Sequence, residues 1–228
     1  LYDDYEEELQ IPLLKTGGLV VAHNEEEEAT LLSLYQQSLA NRVPQVSLFD
    51  QAKIREIEPN ISATITKALS LPTTKVTFPW EVAFHALENA YHNGVELQKN
   101  AKVTNLQADN GVYQVEINDT TKVTTKAIIN AAGVYTDEIA KMLDPHVHFQ
   151  IRPKRGEYYV LDKRVAGWIK QVIYPLPTHL GKGILIVPQV HGNILLGPTS
   201  IPQQSKESVA TSSGGLMLIK AGVQALAD

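Results

Sequence analysis

Small residues follow an apolar run near the middle of the chain, a combination suited to binding a ligand through backbone amides. Residues 127–130 predict the end of a buried strand, Ala131, Ala132 and Gly133 follow it, and a helix is predicted from Thr136. Small residues where a strand ends let a ribose or phosphate approach the backbone, and a helix N-terminus favours negative charge. A tight strand-to-helix turn needs the same residues for packing, and composition alone favours that simpler explanation.

Charged and phenolic side chains are concentrated at residues 152–159, which form a second candidate site. Three cations precede Gly156, and two tyrosines follow it. Guanidinium, ammonium and phenol groups together suit a carboxylate or a phosphate. A solvated strand edge, whose charges prevent pairing with another sheet, explains the same residues equally well.

The composition restricts the classes of function. The chain has 228 residues and a net charge of −5, which argues against a nucleic-acid-binding protein. Its apolar runs fall far short of the roughly 20 residues of a membrane span. A cytoplasmic setting is the expectation for a chain without cysteine. The chain has no cysteine, so it offers no disulfide or thiolate site. His146 and His148 have no third ligand at a matching spacing, so we expect no metal site.

Helix signals recur through the first two thirds of the chain. Asn24 can cap a helix because Glu27 completes a capping box, and Asp50 is typical of the residue before a helix. Pro79 suits a first helical position. The helices so predicted run from Asn24 to about Asn41, from Asp50 to Pro59, from Pro79 to Gly94 and from Thr136 to Leu143, and residues 216–227 are also compatible with a helix.

Strand signals are separated by turn residues. Asn110 and Gly111 favour a hairpin, because both tolerate the positive φ that such turns require. After Phe149 helical patterns give way to strands separated by proline and glycine, which predicts a sheet made of hairpins or long connections. The predicted strands are 18–22, 95–97, 102–108, 112–117, 122–130, 158–161, 184–187 and 193–196.

Taken in order, these runs resemble the FAD-dependent oxidoreductases that include D-amino-acid oxidase, glycine oxidase, glycerol-3-phosphate dehydrogenase and L-2-hydroxyglutarate dehydrogenase. The resemblance extends from about residue 59 to 200, and its specificity lies in the order of the runs. It is carried by residues 94–97, Val103, 129–137, 155–159, 174–177 and 192–198. It implies an α/β protein with a mixed, antiparallel-rich substrate-binding sheet and part of a Rossmann-like FAD-binding lobe.

The resemblance also implies roles for individual residues, although it assigns no catalytic residue. Val103 would meet the adenine of FAD through its backbone, and Ala131, Ala132 and Gly133 would lie near the ribose and pyrophosphate. Arg155, Tyr158 and Tyr174 would bind a small anionic substrate. The substrate carbon would give a hydride to flavin N5, and an electron acceptor would act as a partner of the enzyme. Residues 1–76 and 145–215 would form the substrate-binding domain, 77–144 part of the FAD-binding domain, and 216–228 a truncated helix.

Departures from the family pattern shape the expected function. The G-x-G-x-x-G fingerprint does not occur in these residues, so we expect an inactive internal fragment that binds FAD weakly or not at all by itself. The L-2-hydroxyglutarate enzymes would have a histidine where this chain has Leu185, which argues against that substrate and favours another hydroxy acid or glycerol-3-phosphate. The alternatives, in order, are a dehydrogenase of L-2-hydroxyglutarate or another 2-hydroxy acid, an amine oxidase of the same fold, and a non-catalytic β-rich binding domain.

Overall fold

The computed structural model describes residues 2–177, 181 and 183–228, and the chain divides into two compact units. Unit 1 comprises Leu1–His92, Gly156–Ile201 and Ala210–Asp228. Unit 2 comprises Asn93–Arg155 and Pro202–Val209.

The described residues form six α-helices and fourteen short strands, with two 3-10 turns at Gly133–Tyr135 and Lys163–Val165. The helices are α1 (Tyr2–Glu8), α2 (Glu25–Ala40), α3 (Gln51–Ile57), α4 (Pro79–His92), α5 (Thr136–Leu143) and α6 (Ser213–Gln224). The strands are β1 (Leu13–Leu14), β2 (Gly18–Ala22), β3 (Ser47–Asp50), β4 (Lys67–Leu71), β5 (Val76–Thr77), β6 (Val103–Asp109), β7 (Val112–Ile117), β8 (Thr121–Thr125), β9 (Lys154–Arg155), β10 (Tyr159–Leu161), β11 (Val172–Pro175), β12 (Leu185–Pro188), β13 (Ile194–Gly197) and β14 (Ile201–Pro202).

A seven-stranded sheet is the centre of unit 1. Its strand order is β10-β13-β12-β11-β2-β4-β3. The pairing of β11 with β2 is parallel, whereas the other pairs whose register is described are antiparallel. The mixed, antiparallel-rich sheet predicted from the sequence is therefore confirmed.

The two faces of this sheet have different partners. Side chains alternate between the faces of a strand, so Leu19 and Val20 in β2 point in opposite directions. Leu19 belongs to a core cluster with Ile186 and with Ile219 of α6. Val20 belongs to a second cluster with Leu31 of α2. Strand β2 is consequently buried on both faces.

The predicted helix starts are confirmed by their caps. Asn24 Oδ1 accepts a hydrogen bond from Glu27 N at 3.0 Å, and Asp50 Oδ1 accepts one from Lys53 N at 2.8 Å. Helix α4 begins at Pro79, as predicted. Helix α6 begins at Ser213 because Ser212 caps it, earlier than the sequence pattern indicates.

Unit 2 contains the three-stranded antiparallel sheet β6-β7-β8. The predicted hairpin is confirmed, with φ of 47° at Asn110 and 83° at Gly111. Two strand predictions are wrong: β8 ends at Thr125, and no strand forms at 95–97. Strands need hydrogen-bonded neighbours, and neither segment has one among the described strands. The predicted burial of residues 127–130 is likewise wrong, since Ile129 is 92% exposed.

Candidate functional site

A cavity of about 780 Å³ lies over one half of the large sheet in unit 1. Helix α2 packs over β2 and β4 on the same face, and the cavity lies over β10–β13 beside it. One wall consists of alternate residues of these strands, and the other is the segment 75–80. The strand residues that line the cavity are Val160, Val172, Tyr174, Leu185, Val187, Leu195 and Gly197, and Tyr158, just before β10, lines it as well.

Two of the predicted substrate-binding residues line this cavity together. Tyr158 is 44% exposed, and Tyr174 is half-buried between the cavity and α2. Burial raises the pKa of Tyr174 above its ordinary value, so its hydroxyl stays protonated at neutral pH. Arg155, the third predicted residue, belongs to β9 in unit 2 and is not among the described lining residues.

The cavity wall is largely apolar with a few polar groups. Thr77, Gln189 and Asn193 contribute neutral hydrogen-bonding groups, and Lys75 is the only charged residue among the described lining residues. An apolar pocket with a few polar groups is the usual form of a small-molecule site. Sequence reasoning missed Lys75, since it lies far along the chain from residues 152–159.

Aromatic contacts link the two walls at one side of the cavity. The rings of Phe78 and Trp80 are 4.0 Å apart, and Phe78 is 4.8 Å from the ring of His191 in an edge-on arrangement. His191 Nε2 lies 3.2 Å from Glu81 Oε1. The turn between β12 and β13 is thereby attached to the start of α4.

A buried carboxylate lies behind the wall that contains Tyr158. Glu157 is 4% exposed, and its Oε1 accepts hydrogen bonds from the backbone N and the Oγ of Ser212, both at 3.0 Å. Its backbone N donates to Thr199 Oγ1 at 2.9 Å. The sequence assigns Glu157 no role of its own, and the structure shows that it attaches α6 to this strand entry.

The predicted cofactor turn lies in unit 2 and has a defined shape. Asn130 Nδ2 donates to the carbonyl of Thr136 at 2.9 Å, and Asn130 Oδ1 accepts from Ala132 N at 3.3 Å. Gly133 has φ of 57°, and a Cβ built there would meet nothing within 4 Å. The open space at Gly133, just before α5, leaves room for a ribose or pyrophosphate, so this turn fits that part of FAD.

Val103, the residue predicted to meet the adenine, is the first residue of β6. It lies opposite Ile117 of β7, and the pairing is irregular between Val103 and Asn105. Helix α5 packs against β6, so Val103 and the cofactor turn belong to neighbouring elements. Their roles toward FAD stay predictions.

Segment 202–209 is attached to α5 by an ionic cluster that the sequence did not indicate. Lys206 Nζ lies 2.6 Å from Asp137 Oδ1 and 2.8 Å from Glu138 Oε1. The ammonium of Lys206 lowers the pKa of Asp137, and the two carboxylates raise the pKa of Lys206. The hydroxyl of Tyr135 donates to Glu207 Oε1 at 2.8 Å. These contacts hold the first turn of α5, which follows the cofactor turn.

Neither a metal-binding cluster nor a membrane-spanning helix occurs among the described residues. No group of three or more histidine or acidic side chains is arranged to hold a metal ion. Nor is any helix in these residues both long and apolar enough to cross a bilayer.

One family model covers nearly the whole chain. The family model described as FAD dependent oxidoreductase, DAO, matches residues 1–226, and the chain belongs to that family.

Relatives within the family align with most of this chain. It is 37% identical over 219 residues to a glycerol 3-phosphate dehydrogenase of Caloramator mitchellensis, covering 96% of this chain and 45% of that protein. It is 29% identical over 198 residues to the mitochondrial L-2-hydroxyglutarate dehydrogenase of Bos taurus, covering 81% and 42%. The structure is similar to the dithionite-reduced, FAD-bound L-alpha-glycerophosphate oxidase of Mycoplasma pneumoniae, with a TM-score of 0.88 and 26% identity over 95% of this chain and 58% of that one. The chain spans about half the length of the curated relatives it matches.

Proposed function

We propose that this chain supplies the substrate-binding sheet and part of the FAD-binding unit of a dehydrogenase that oxidises glycerol-3-phosphate. The observation that supports it most is the cavity over β10–β13, which combines apolar walls with Lys75 and two tyrosine side chains. The relatives named for glycerol 3-phosphate support the same substrate.

In this proposal each unit has its own task. The sheet of unit 1 binds the substrate, with Tyr158 and Tyr174 as hydrogen-bonding groups. The role of Arg155 toward the substrate stays a prediction from the family resemblance. The turn at residues 131–133 and the backbone of Val103 bind the ribose, pyrophosphate and adenine of FAD. The cofactor, when bound, supplies the hydride acceptor, and the protein supplies positioning and charge.

The cavity residues would orient the substrate and exclude water. Val160, Leu195 and the other apolar wall residues offer no competing hydrogen bonds, so a bound hydroxyl group is directed to the tyrosines. Tyr174 acts as a neutral donor, because burial raises its pKa. Water displaced from such a pocket no longer weakens the attraction between a cation and an anionic substrate.

An L-2-hydroxyglutarate dehydrogenase is the second candidate, supported by relatives of that name. The cavity favours glycerol-3-phosphate, since Leu185 lies in its wall where the resemblance implies a histidine in the 2-hydroxyglutarate enzymes. An apolar side chain there cannot bind the second carboxylate of that substrate.

The experiment compares substrates and variants in the FAD-loaded enzyme that contains this chain. We expect kcat/KM for glycerol-3-phosphate to exceed the values for L-2-hydroxyglutarate and glycine. Tyr158→Phe should raise the KM for glycerol-3-phosphate about threefold to tenfold, the range for one hydrogen bond. Tyr159→Phe is the matched control, because Tyr159 is not among the described lining residues. A preference for glycine would replace the proposal with an amine oxidase.

The chain by itself is expected to bind FAD weakly or not at all. A titration with FAD, followed by flavin fluorescence, measures this directly. Tight stoichiometric binding would show that these residues suffice for the cofactor.

A further inference from the structure

Lys75 lies in the wall of the cavity over β10–β13. It precedes β5, and it is the only charged residue among the lining residues that the structure describes. Its side chain is 27% exposed. An ammonium group beside apolar walls attracts an anion more strongly than it would on an open surface, because less water screens it.

The ammonium of Lys75 forms an ion pair with a carboxylate of the same unit. Asp3 of α1 accepts its hydrogen bond, and this contact holds the pKa of Asp3 below its usual range. Asp3 Oδ1 also lies 3.5 Å from Lys15 Nζ, which in turn lies 2.8 Å from Glu6 Oε2. Since Asp3 is 55% exposed, its ion pair with Lys75 is of the weak, exchangeable kind.

We propose that Lys75 binds the anionic group of the substrate, and that Asp3 holds the ammonium until the substrate displaces it. This inference rests on the proposed function, since it names the cation of that same cavity. With glycerol-3-phosphate the group bound is the phosphate.

The substrate can displace Asp3 from Lys75 because its anionic group carries more charge. A phosphate monoester carries up to two negative charges and three acceptor oxygens, whereas Asp3 offers one charge from the protein surface. An ammonium group is a point charge that suits phosphate without demanding a planar partner. Asp3 therefore keeps Lys75 in place in the free enzyme and competes with the substrate for it.

Lys75→Gln tests the binding role in the FAD-loaded enzyme. We expect the KM for glycerol-3-phosphate to rise about 10- to 100-fold, as for a hydrogen bond to a charged group, while kcat changes less than about twofold. Lys15→Gln is the matched control, because Lys15 contacts the same Asp3 but is not among the described lining residues. Its KM should stay within about twofold of the original.

Asp3→Asn tests the competition independently and leaves the cation in place. Removing an exposed competitor should lower the KM about twofold to fivefold. An unchanged or higher KM would overturn the exchange, whatever the result for Lys75.

A binding measurement separates this inference from the proposed function. Inorganic phosphate, titrated calorimetrically into the same proteins, should bind more weakly to Lys75→Gln and more tightly to Asp3→Asn. If the enzyme prefers L-2-hydroxyglutarate, the proposed oxidation of glycerol-3-phosphate is wrong. Lys75→Gln should then raise the KM for that dicarboxylate. If a folded Lys75→Gln protein keeps both the original phosphate affinity and the original KM, the inference is overturned for either substrate.

Discussion

A Cβ placed on Gly215 would lie 1.3 Å from Oε2 of Glu157. Helix α6 therefore packs directly against the buried carboxylate that precedes Tyr158. The Oγ of Ser212 completes the contact, since it donates to Glu157 Oε1 and accepts from Gly215 N at 3.1 Å. The first turn of α6 thus determines the position of one wall of the cavity.

Gly215→Ala should destabilise unit 1, because its methyl group requires the Glu157 carboxylate to move. The expected loss is about 1–3 kcal/mol of unfolding free energy, the range for overpacking a buried site. Gly214→Ala is the control in the same helix turn, since a Cβ there meets nothing within 4 Å. That change should stabilise by about 0.5–1 kcal/mol, as alanine replaces glycine in a helix. Urea unfolding of both variants measures the difference, and equal losses would contradict this packing.

Glu58 should make stability depend on pH in an unusual direction. It is fully buried and accepts hydrogen bonds from Gln171 N at 2.6 Å and Lys170 N at 3.0 Å, but burial has the larger effect and raises its pKa. Folding therefore favours the protonated acid, so its contribution is greatest below the unfolded pKa of about 4.5 and is lost as pH rises through the folded value. The stability advantage of the original protein over Glu58→Gln should be larger near pH 4 than near pH 7.

Urea unfolding at both pH values measures this advantage. Glu56→Gln, whose side chain is 68% exposed near the end of α3, two residues before Glu58, controls for loss of charge. An advantage that grows between pH 4 and pH 7 would contradict the direction of the shift.

The Asp137–Lys206 pair should stabilise unit 2 over a wide pH range. The pKa of Asp137 is lowered, so its contribution is present above about pH 3.8 and is lost as pH falls through the folded value. The pKa of Lys206 is raised, so the contribution is also lost as pH rises above about 10.5.

Lys206→Gln should therefore lower the Tm at neutral pH, with a difference that narrows toward pH 3. Lys141→Gln, on the last turn of α5, is the control for removing a positive charge from this helix. A Tm difference independent of pH would show that Lys206 acts through packing alone.

Leu185→His should move substrate preference toward L-2-hydroxyglutarate. The new imidazole would lie in the cavity wall and donate a hydrogen bond to the second carboxylate. We expect kcat/KM for L-2-hydroxyglutarate, divided by kcat/KM for glycerol-3-phosphate, to rise about tenfold. Leu195→His, on the neighbouring strand of the same wall, is the control. An equal change of substrate preference in both variants would mean that the effect does not depend on where in the wall the histidine lies.

The sequence predicts what depends on neighbouring residues. Asn24 and Asp50 cap helices, and Asn110 turns a hairpin, because each acts within a few residues of itself. The strand prediction at residues 126–130 failed, since apolar residues form a strand only where a partner strand is available.

Contacts between distant parts of the chain were beyond the sequence patterns. Lys75 contacts Asp3, Glu157 contacts Ser212, and Lys206 contacts Asp137. No spacing rule connects such pairs, so the residues that shape the candidate site emerge only from the fold. The family resemblance is confirmed because it depends on the order of many short runs, not on any one contact.

Anaerobic reduction of the bound flavin tests the central claim most directly. The FAD-loaded enzyme that contains this chain is mixed with glycerol-3-phosphate, L-2-hydroxyglutarate or glycine without oxygen, and the loss of oxidised-flavin absorbance is followed. We predict that glycerol-3-phosphate bleaches the flavin fastest and at the lowest concentration, and that Lys75→Gln shifts that concentration upward. Bleaching by glycine, with no response to glycerol-3-phosphate, would contradict the proposed function.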